Sequence, residues 1–100
     1  MTHKLKTWPQ YFSAIKDGRK SFEARLNDRD FHVGDILCLQ EWVECKMCGK
    51  ASQACTKCGG NKGWTTGAEI LREVAYIVHG PAFGILGGHC VMAIIKMKAK

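Results

Sequence analysis

A segment dense in charge, residues 18–30, constrains the fold of this 100-residue chain more than any other part. It lies between a helix-like stretch and an apolar one. Its charged side chains, which lie on both sides of Phe22, are Arg19, Lys20, Glu23, Arg25, Asp28, Arg29 and Asp30. A strand that buries one face alternates apolar and polar residues, so charge of this density predicts a polar pocket against the wall of a β-structure. A solvated hairpin rim would give the same pattern on composition alone.

A helix is predicted over residues 9–17, directly before the charged segment. The apolar residues at helical spacing, which we expect to form one face in the core, are Trp8, Tyr11, Phe12 and Ile15. Thr7 is placed to cap the first turn, and Pro9 stands where a missing N–H costs nothing. Gly18 can end the helix in a left-handed conformation.

The rest of the chain predicts short strands separated by turns. From Lys20 the period changes to two, with Phe22 and Ala24 facing inward and Glu23 and Arg25 facing the other way. Further strands are predicted over residues 36–42, 67–79 and 90–97. The last of these is almost continuously apolar and predicts a strand buried on both faces. One helix followed by several short strands indicates a small α+β domain, a closed or nearly closed barrel.

The charged segment and its flanks resemble the ASCH family of small PUA-like β-barrels. The family signature is an aromatic-rich helix, then G-x-K-T/S-x-E-x-R, then V-G-D. Here the matching residues are GRKSFEAR, residues 18–25, followed by VGD, residues 33–35. The similarity covers residues 1–43 well and residues 67–98 loosely. The length of 100 residues predicts a single domain over residues 1–100, and the resemblance implies the ASCH barrel with its N-terminal helix.

The resemblance also implies a cleft lined by the G-x-K-x-x-E-x-R strand. The ligand-binding candidates are Arg19, Lys20, Glu23 and Arg25. The planar fork of Arg25 suits a phosphate or a base edge, and a carboxylate such as Glu23 can accept from an exocyclic amine. Strict alternation puts Lys20 on the face opposite Glu23 and Arg25. These three side chains converge only if Lys20 lies in the turn after Gly18, or if the strand is bulged there.

Three functions fit these residues. The first is binding of nucleic acid, in particular RNA, with phosphates held by the cleft cations, a footprint that Lys4, Lys6 and Arg29 could extend. The second is a small amidohydrolase acting on an acylated or otherwise modified nucleoside through Lys20 and Glu23. Lys20 matches the family lysine of that chemistry, but Glu23 stands where the family has a threonine. The third is a protein-interaction module.

Four cysteines break the strand pattern over residues 44–65 and predict a zinc-binding hairpin within the domain. The expected ligands, in two C-x-x-C pairs, are Cys45, Cys48, Cys55 and Cys58. Each pair can present two thiolates to one tetrahedral Zn²⁺ ion, and a four-thiolate site is structural because it leaves no position for water. Disulfides and a redox C-x-x-C site are the competing interpretations. The zinc hairpin would be the contact surface of the protein-interaction alternative.

Composition limits the remaining possibilities. The formal charge of +6 favours an anionic partner. The sequence has neither an apolar run of about 18 residues nor an apolar leader, so we expect a cytoplasmic protein with no membrane partner. In that compartment cysteines are reduced or metal-bound, and Cys38 and Cys90 are expected to be buried thiols. The four histidines are scattered and predict no catalytic pair.

Overall fold

The structure, a computed structural model, describes residues 1–45 and 63–97 as one helix and five strands. In chain order the elements are β1 (Thr2–Thr7), α1 (Pro9–Lys16), β2 (Phe22–Leu26), β3 (Ile36–Glu44), β4 (Gly63–His79) and β5 (His89–Lys96). The described part of the chain is α+β, as predicted. Strand β1 was not predicted, because Leu5 is the one apolar residue among its three buried positions.

The five strands form a single mixed sheet in the order β1-β3-β4-β5-β2. β1 runs parallel to β3, whereas the other neighbouring strands are antiparallel. The register shifts between Gln40 and Trp42 in β3 and between Val74 and Tyr76 in β4. Such bulges bend a strand and increase its twist, so β3 and β4 carry much of the curvature of the sheet.

The sheet is curled so far that its two outer strands approach each other. Arg25 of β2 donates from Nη2 to the carbonyl oxygen of Lys6 in β1 at 2.7 Å. Arg29, just after β2, donates from Nη1 to the carbonyl oxygen of Lys4 at 2.9 Å. In a flat sheet the outer strands would lie about 19 Å apart, four spacings of about 4.8 Å. Because arginine side chains bridge them, the sheet is an open half-barrel.

The core fills the concave side of this half-barrel. Its buried members are Leu5, Ile15, Phe31, Leu37, Leu39, Val74, Cys90, Met92 and Ile94. Along β5, Met92 is buried while its neighbour Ala93 is exposed, and Ile95 is half-exposed. The prediction that this strand is buried on both faces is therefore wrong, because its outer face is open to solvent. Cys38 and Cys90 are buried thiols, as predicted.

The helix begins and ends near its predicted limits but is not capped as expected. Its N-cap residue is Trp8, which makes no side-chain capping hydrogen bond. Thr7 is instead the buried last residue of β1, so the prediction that it caps the helix is wrong. Gly18 has a φ of +89°, in agreement with the predicted left-handed end of the helix.

β3 and β4 form the hairpin from which the cysteine-rich segment extends. Their ladder closes with Glu44 opposite Gly63, so the outer residues of the predicted insert belong to strands. A Cβ atom at Gly63 would overlap the carbonyl oxygen of Val43 and the ring of Trp42, so this close approach requires glycine. Residues 46–62 lie outside the described part. Nowhere in residues 1–45 and 63–97 is there a helix with the length and apolar character needed to cross a membrane.

Candidate ligand-binding cleft

A cleft of about 470 Å³ opens between the outer strands of the half-barrel, beside the start of α1. β1 contributes Lys6 and Thr7, and Trp8 and Tyr11 come from the helix and its N-cap. The remaining wall is Lys20 and residues 22–25. A cavity of this volume is within the range of small-molecule and cofactor sites. The curl of the sheet thus positions the predicted G-x-K-x-x-E-x-R strand on a cleft.

Glu23 is the buried centre of the cleft. Its residue is only 4% exposed, and its Oε1 and Oε2 accept hydrogen bonds from Lys20 Nζ at 2.7 Å and Arg25 Nε at 2.6 Å. The prediction that Phe22 and Ala24 face inward is wrong, because both are exposed and Glu23 is the inward residue. Two cations beside one carboxylate offset the cost of burying it and leave one net positive charge.

Lys20 reaches this centre because it precedes the strand. Its backbone N–H donates to Ala14 O at 3.0 Å, which holds it in the turn after α1. From there Nζ donates to the carbonyl oxygen of Phe22 at 2.8 Å as well as to Glu23. The sequence allowed two geometries, Lys20 in the turn after Gly18 or a bulge in the strand, and the structure has the turn. Strand alternation does not apply to Lys20, and the three predicted side chains converge.

Arg25 links the carboxylate to the opposite wall of the cleft. Besides the bond to Glu23, its Nη2 donates to Lys6 O at 2.7 Å and to Thr7 Oγ1 at 3.5 Å. Its Nη1 makes no hydrogen bond to any residue that the structure describes. A guanidinium has five N–H donors, so the fixed side chain still has donors for an anionic ligand.

Arg19, which was also predicted as a ligand-binding residue, does not line the cleft. Its Nε donates to Asp17 Oδ2 at 2.8 Å, and both side chains are exposed. The hydrogen bonds from the backbone and side chain of Arg19 lower the pKa of the Asp17 carboxyl. The chain therefore turns Arg19 back onto the helix end while Lys20 enters the cleft.

Three half-exposed aromatic side chains stand around the cleft, and no sequence pattern predicted a site at any of them. Trp8 is 43% exposed, Tyr11 47% and Phe22 48%. The prediction that Trp8 and Tyr11 belong to the core is wrong, whereas Phe12 and Ile15 of the same helix are buried. Lys20 Nζ lies 5.6 Å from the centre of the Tyr11 ring and 4.9 Å from that of Phe22, within cation–π range.

A family model described as a domain of unknown function, DUF3850, matches residues 2–94. The chain belongs to the DUF3850 family. The family description of this DUF3850 domain states no activity.

This DUF3850 domain is also similar to a protein of Escherichia phage P2, described as an uncharacterized 12.9 kDa protein in the GpA 3′ region. The two are 36% identical over 52 residues, which are 52% of this chain and 48% of the phage protein. The chain thus matches about half the length of this curated relative. The description of the phage protein names no ligand.

The V-G-D residues of the DUF3850 domain serve the fold and do not line the cleft. Gly34 has a φ of +93° and makes the turn into β3. Asp35, 8% exposed, accepts hydrogen bonds from the ring of His3 at 2.8 Å and from the backbone N–H of His32 at 3.0 Å. The hydrogen bond from His3, followed by that from His32, lowers the pKa of Asp35 to about 2. His3 is thus a buried histidine whose ring is hydrogen-bonded.

Of the four predicted metal ligands, the structure describes Cys45 alone. Cys45 is buried directly after β3, while the other three predicted ligands, Cys48, Cys55 and Cys58, lie outside the described residues. Within residues 1–45 and 63–97, histidine, cysteine and carboxylate side chains form no metal-binding group of three or more. Burial raises the pKa of the Cys38 and Cys90 thiols, so these two suit a structural role.

Proposed function

We propose that this DUF3850 domain binds single-stranded RNA in the cleft between β1 and β2. The observation that carries the proposal is the buried carboxylate of Glu23 between Lys20 and Arg25. Removing three charged groups from water costs free energy that the ion pairs themselves barely recover. A cationic centre held this firmly is well suited to an anionic ligand, because its donors are already oriented.

The aromatic walls favour a nucleotide over a simple anion. Trp8, Tyr11 and Phe22 present ring surface at the same cleft that holds the cations. Stacked aromatics beside a basic groove are the usual means of binding single-stranded nucleic acid, because every base has a π face. The combination of rings and cations in one cleft therefore supports a base with its phosphate.

The choice of RNA rests on the resemblance of residues 18–25 and 33–35 to the ASCH signature. The same resemblance is the reason to propose that the curled half-barrel is a PUA-like fold. A resemblance of fold does not by itself determine function, and the affinity of the cleft for RNA is the direct test.

The direct test is the affinity of the domain for a fluorescent single-stranded RNA oligonucleotide, measured by anisotropy across a series of salt concentrations. Arg25→Gln removes a cleft cation, and Arg19→Gln removes the same charge outside the cleft. We expect Arg25→Gln to weaken binding about tenfold and to flatten the salt dependence by about 0.7 in log–log slope. We expect Arg19→Gln to stay close to wild type. Equal losses in both variants, or no saturable binding up to about 100 µM protein, would reject the cleft as the site.

Arg25 also joins the two outer strands, so Arg25→Gln can weaken RNA binding by disturbing the fold. A second variant that keeps these strand contacts separates the loss of charge from a loss of folding. Lys6→Gln removes an exposed cation of the same cleft and leaves the Glu23 ion pairs intact. Its expected loss of affinity is in the same direction, with an unchanged thermal unfolding curve. If Lys6→Gln binds RNA as tightly as wild type, the exposed cation of the cleft does not contribute to RNA affinity, which contradicts the proposal.

The amidohydrolase alternative uses the same cleft and is less well supported. Lys20 and Glu23 are in direct contact, as that chemistry requires. However, the ammonium is held by two acceptors and both carboxylate oxygens already accept from cations, so neither group is poised to take a proton from a substrate. Turnover of an N-acylated cytidine that disappears in Lys20→Arg would reinstate this alternative.

We also propose that Cys45, Cys48, Cys55 and Cys58 hold one structural Zn²⁺ ion in a cytoplasmic protein. The hairpin ladder supports this, because Glu44 and Gly63 bring the two ends of the cysteine-rich segment together. Cys45 is buried at that end. Four thiolates would bind the metal without an open coordination position, so the ion would stabilise the hairpin and take no part in catalysis.

A further inference from the structure

A second cavity of about 360 Å³ adjoins the cleft on the side away from α1. It lies between the same two outer strands, and its walls include Lys4 of β1 and Arg29 after β2. Lys6 and Arg25 line both cavities, so these two cations stand at the junction. The two cavities are thus successive parts of one groove along the seam of the half-barrel.

The charges of the second cavity are suited to a polyanion. Its cations are Lys4, Lys6, Arg25 and Arg29, and the one carboxylate among its lining residues is Asp28. Arg29 donates one hydrogen bond from Nη1 to the carbonyl oxygen of Lys4, at 2.9 Å. That bond fixes the guanidinium over the cavity, and its other N–H groups make no hydrogen bond to any residue in the described ranges.

The second cavity offers a ligand aliphatic surface where the first offers exposed aromatic rings. Leu26 is 53% exposed and lines the second cavity, and Leu5 and Phe31 are buried residues that also line it. The first cavity offers exposed rings for stacking, whereas the second offers an aliphatic surface between cations. A base that stacks firmly in the first can be followed by a nucleoside that is held mainly through its phosphates.

We propose that the groove takes two successive nucleotides of one strand, with the linking phosphate between Lys6 and Arg25. This inference rests on the proposed RNA-binding function and adds a second nucleotide subsite, formed by Lys4 and Arg29. One base occupies the aromatic cavity, the phosphate binds at the junction, and the neighbouring nucleoside lies against Leu26. The footprint of the described groove is therefore a dinucleotide.

Ligand length tests the inference. The probes are random-sequence RNA pools of pNp, pNpNp and pNpNpNp, so that every probe offers a phosphate on both sides of a base. Dissociation constants come from competition against a fluorescent RNA oligonucleotide at two salt concentrations. We expect affinity to rise about tenfold from pNp to pNpNp, as for one added charge-assisted contact, and less than about twofold from pNpNp to pNpNpNp.

Variants locate the second subsite. Arg29→Gln is expected to weaken pNpNp about fivefold and to leave pNp unchanged, because the single nucleotide occupies only the aromatic cavity. Lys16→Gln is the matched control, since Lys16 is exposed on α1 and lines neither cavity. Thermal unfolding of each variant separates lost contacts from lost folding.

The outcomes distinguish the two proposals. If pNp binds as tightly as pNpNp, or if Arg29→Gln weakens both equally, the second subsite is wrong while RNA binding in the cleft stands. A further tenfold gain at pNpNpNp would contradict the two-nucleotide footprint. If none of the pools competes while the fluorescent RNA binds, that RNA binds elsewhere and the cleft proposal fails together with the inference.

Discussion

Arg25 donates from Nη2 to the carbonyl oxygen of Lys6 at 2.7 Å, although the two residues belong to the opposite outer strands of the sheet. The same guanidinium donates from Nε to Glu23 at 2.6 Å. One side chain therefore closes the half-barrel and orients the cationic centre of the cleft. Lysine could not replace it, because a single ammonium lacks the planar fork that reaches both acceptors.

Glu23→Gln is expected to destabilise the fold. The substitution keeps the shape of the side chain but leaves Lys20 and Arg25 beside a neutral amide in a buried position. Breaking a buried ion pair on one side costs about 3 kcal/mol or more in the free energy of unfolding. Urea denaturation at neutral pH, followed by tryptophan fluorescence, measures this loss.

Glu69→Gln is the matched control for that experiment. Glu69 is exposed and accepts a hydrogen bond from Gln40 at 2.9 Å, a contact that a glutamine can largely replace. An exposed change of this kind should alter stability by no more than about 0.5 kcal/mol. Equal stabilities for the two variants would mean that the Glu23 cluster contributes nothing to folding.

The lowered pKa of Asp35 predicts that acid reduces the stability of the fold. Its pKa is about 2 in the folded protein, below its ordinary value of 3.8, because the carboxylate accepts from His3 and from the His32 N–H. A depressed folded pKa stabilises the fold above the unfolded pKa, and that stabilisation is lost as the pH falls from about 3.8 towards about 2. Asp35→Asn should remove this contribution and cost about 1–3 kcal/mol at neutral pH.

Chemical denaturation at a series of pH values between neutral and strongly acidic checks this expectation. Asp28→Asn is the control, because Asp28 is exposed at the rim of the second cavity. It should keep the acid sensitivity of the wild type, while Asp35→Asn should show a flatter curve. Parallel curves for Asp35→Asn and wild type would show that the His3–Asp35 contact does not control acid stability.

Local sequence signals predicted α1, β3 and β5 well, but they could not predict β1. This strand pairs in parallel with β3, which begins more than thirty residues later, and no local turn announces such a pairing. Two of its three buried residues are polar, His3 and Thr7. His3 can be inside only because Asp35 faces it. A partner so distant in sequence leaves no trace in the alternation pattern.

Which face of β2 is buried is a second feature that could not be predicted from the sequence. A period of two determines that Phe22 and Ala24 share one face, but it does not determine which face is inside. Apolarity pointed to Phe22, whereas the structure places Glu23 inside, opposite the buried Met92. Its charge is compensated by Arg25 on the same face and by Lys20 from the preceding turn. The convergence of these three residues was expected from the ASCH resemblance and could not follow from alternation.

The helix shows why the aromatic residues were misassigned. Trp8 stands before the first helical residue, Pro9, so helical periodicity does not set its direction. Tyr11 lies at the border of the apolar stripe, with Ile15 between it and Phe12, and only Phe12 and Ile15 are buried in this helix. Periodicity predicts the centre of a buried stripe better than its borders. In this domain the border is also the wall of the cleft.

Metal binding gives a prediction for the cysteine-rich segment. Native mass spectrometry of protein purified without chelator should show one Zn²⁺ ion per chain, and Cys45→Ser should lose it. Cys38→Ser is the control, because Cys38 is a buried thiol within β3 and is not one of the four proposed ligands. Zinc retained in Cys45→Ser, or absent from the wild type, would contradict the structural zinc site.

Tyr11→Leu separates stacking from charge in the cleft. The ring lies within cation–π distance of Lys20 and is half-exposed at the proposed base-binding wall. Base–aromatic stacking contributes about 1–3 kcal/mol per base, so RNA affinity should fall by at least about fivefold. No phosphate contact is removed, and the slope of log affinity against log salt concentration should therefore stay the same. Fluorescence anisotropy at several salt concentrations gives both quantities.

Tyr76→Leu is the matched control for stacking, since the same change is made at an exposed tyrosine of β4. Tyr76 is 65% exposed and does not line the cleft. RNA affinity should be unchanged in this variant. If Tyr76→Leu weakens binding as much as Tyr11→Leu, RNA contacts the outer face of the sheet, because Tyr76 pairs with the exposed Ala93 there. If Tyr11→Leu instead flattens the salt slope, the ring acts by positioning the Lys20 ammonium and not by stacking on a base.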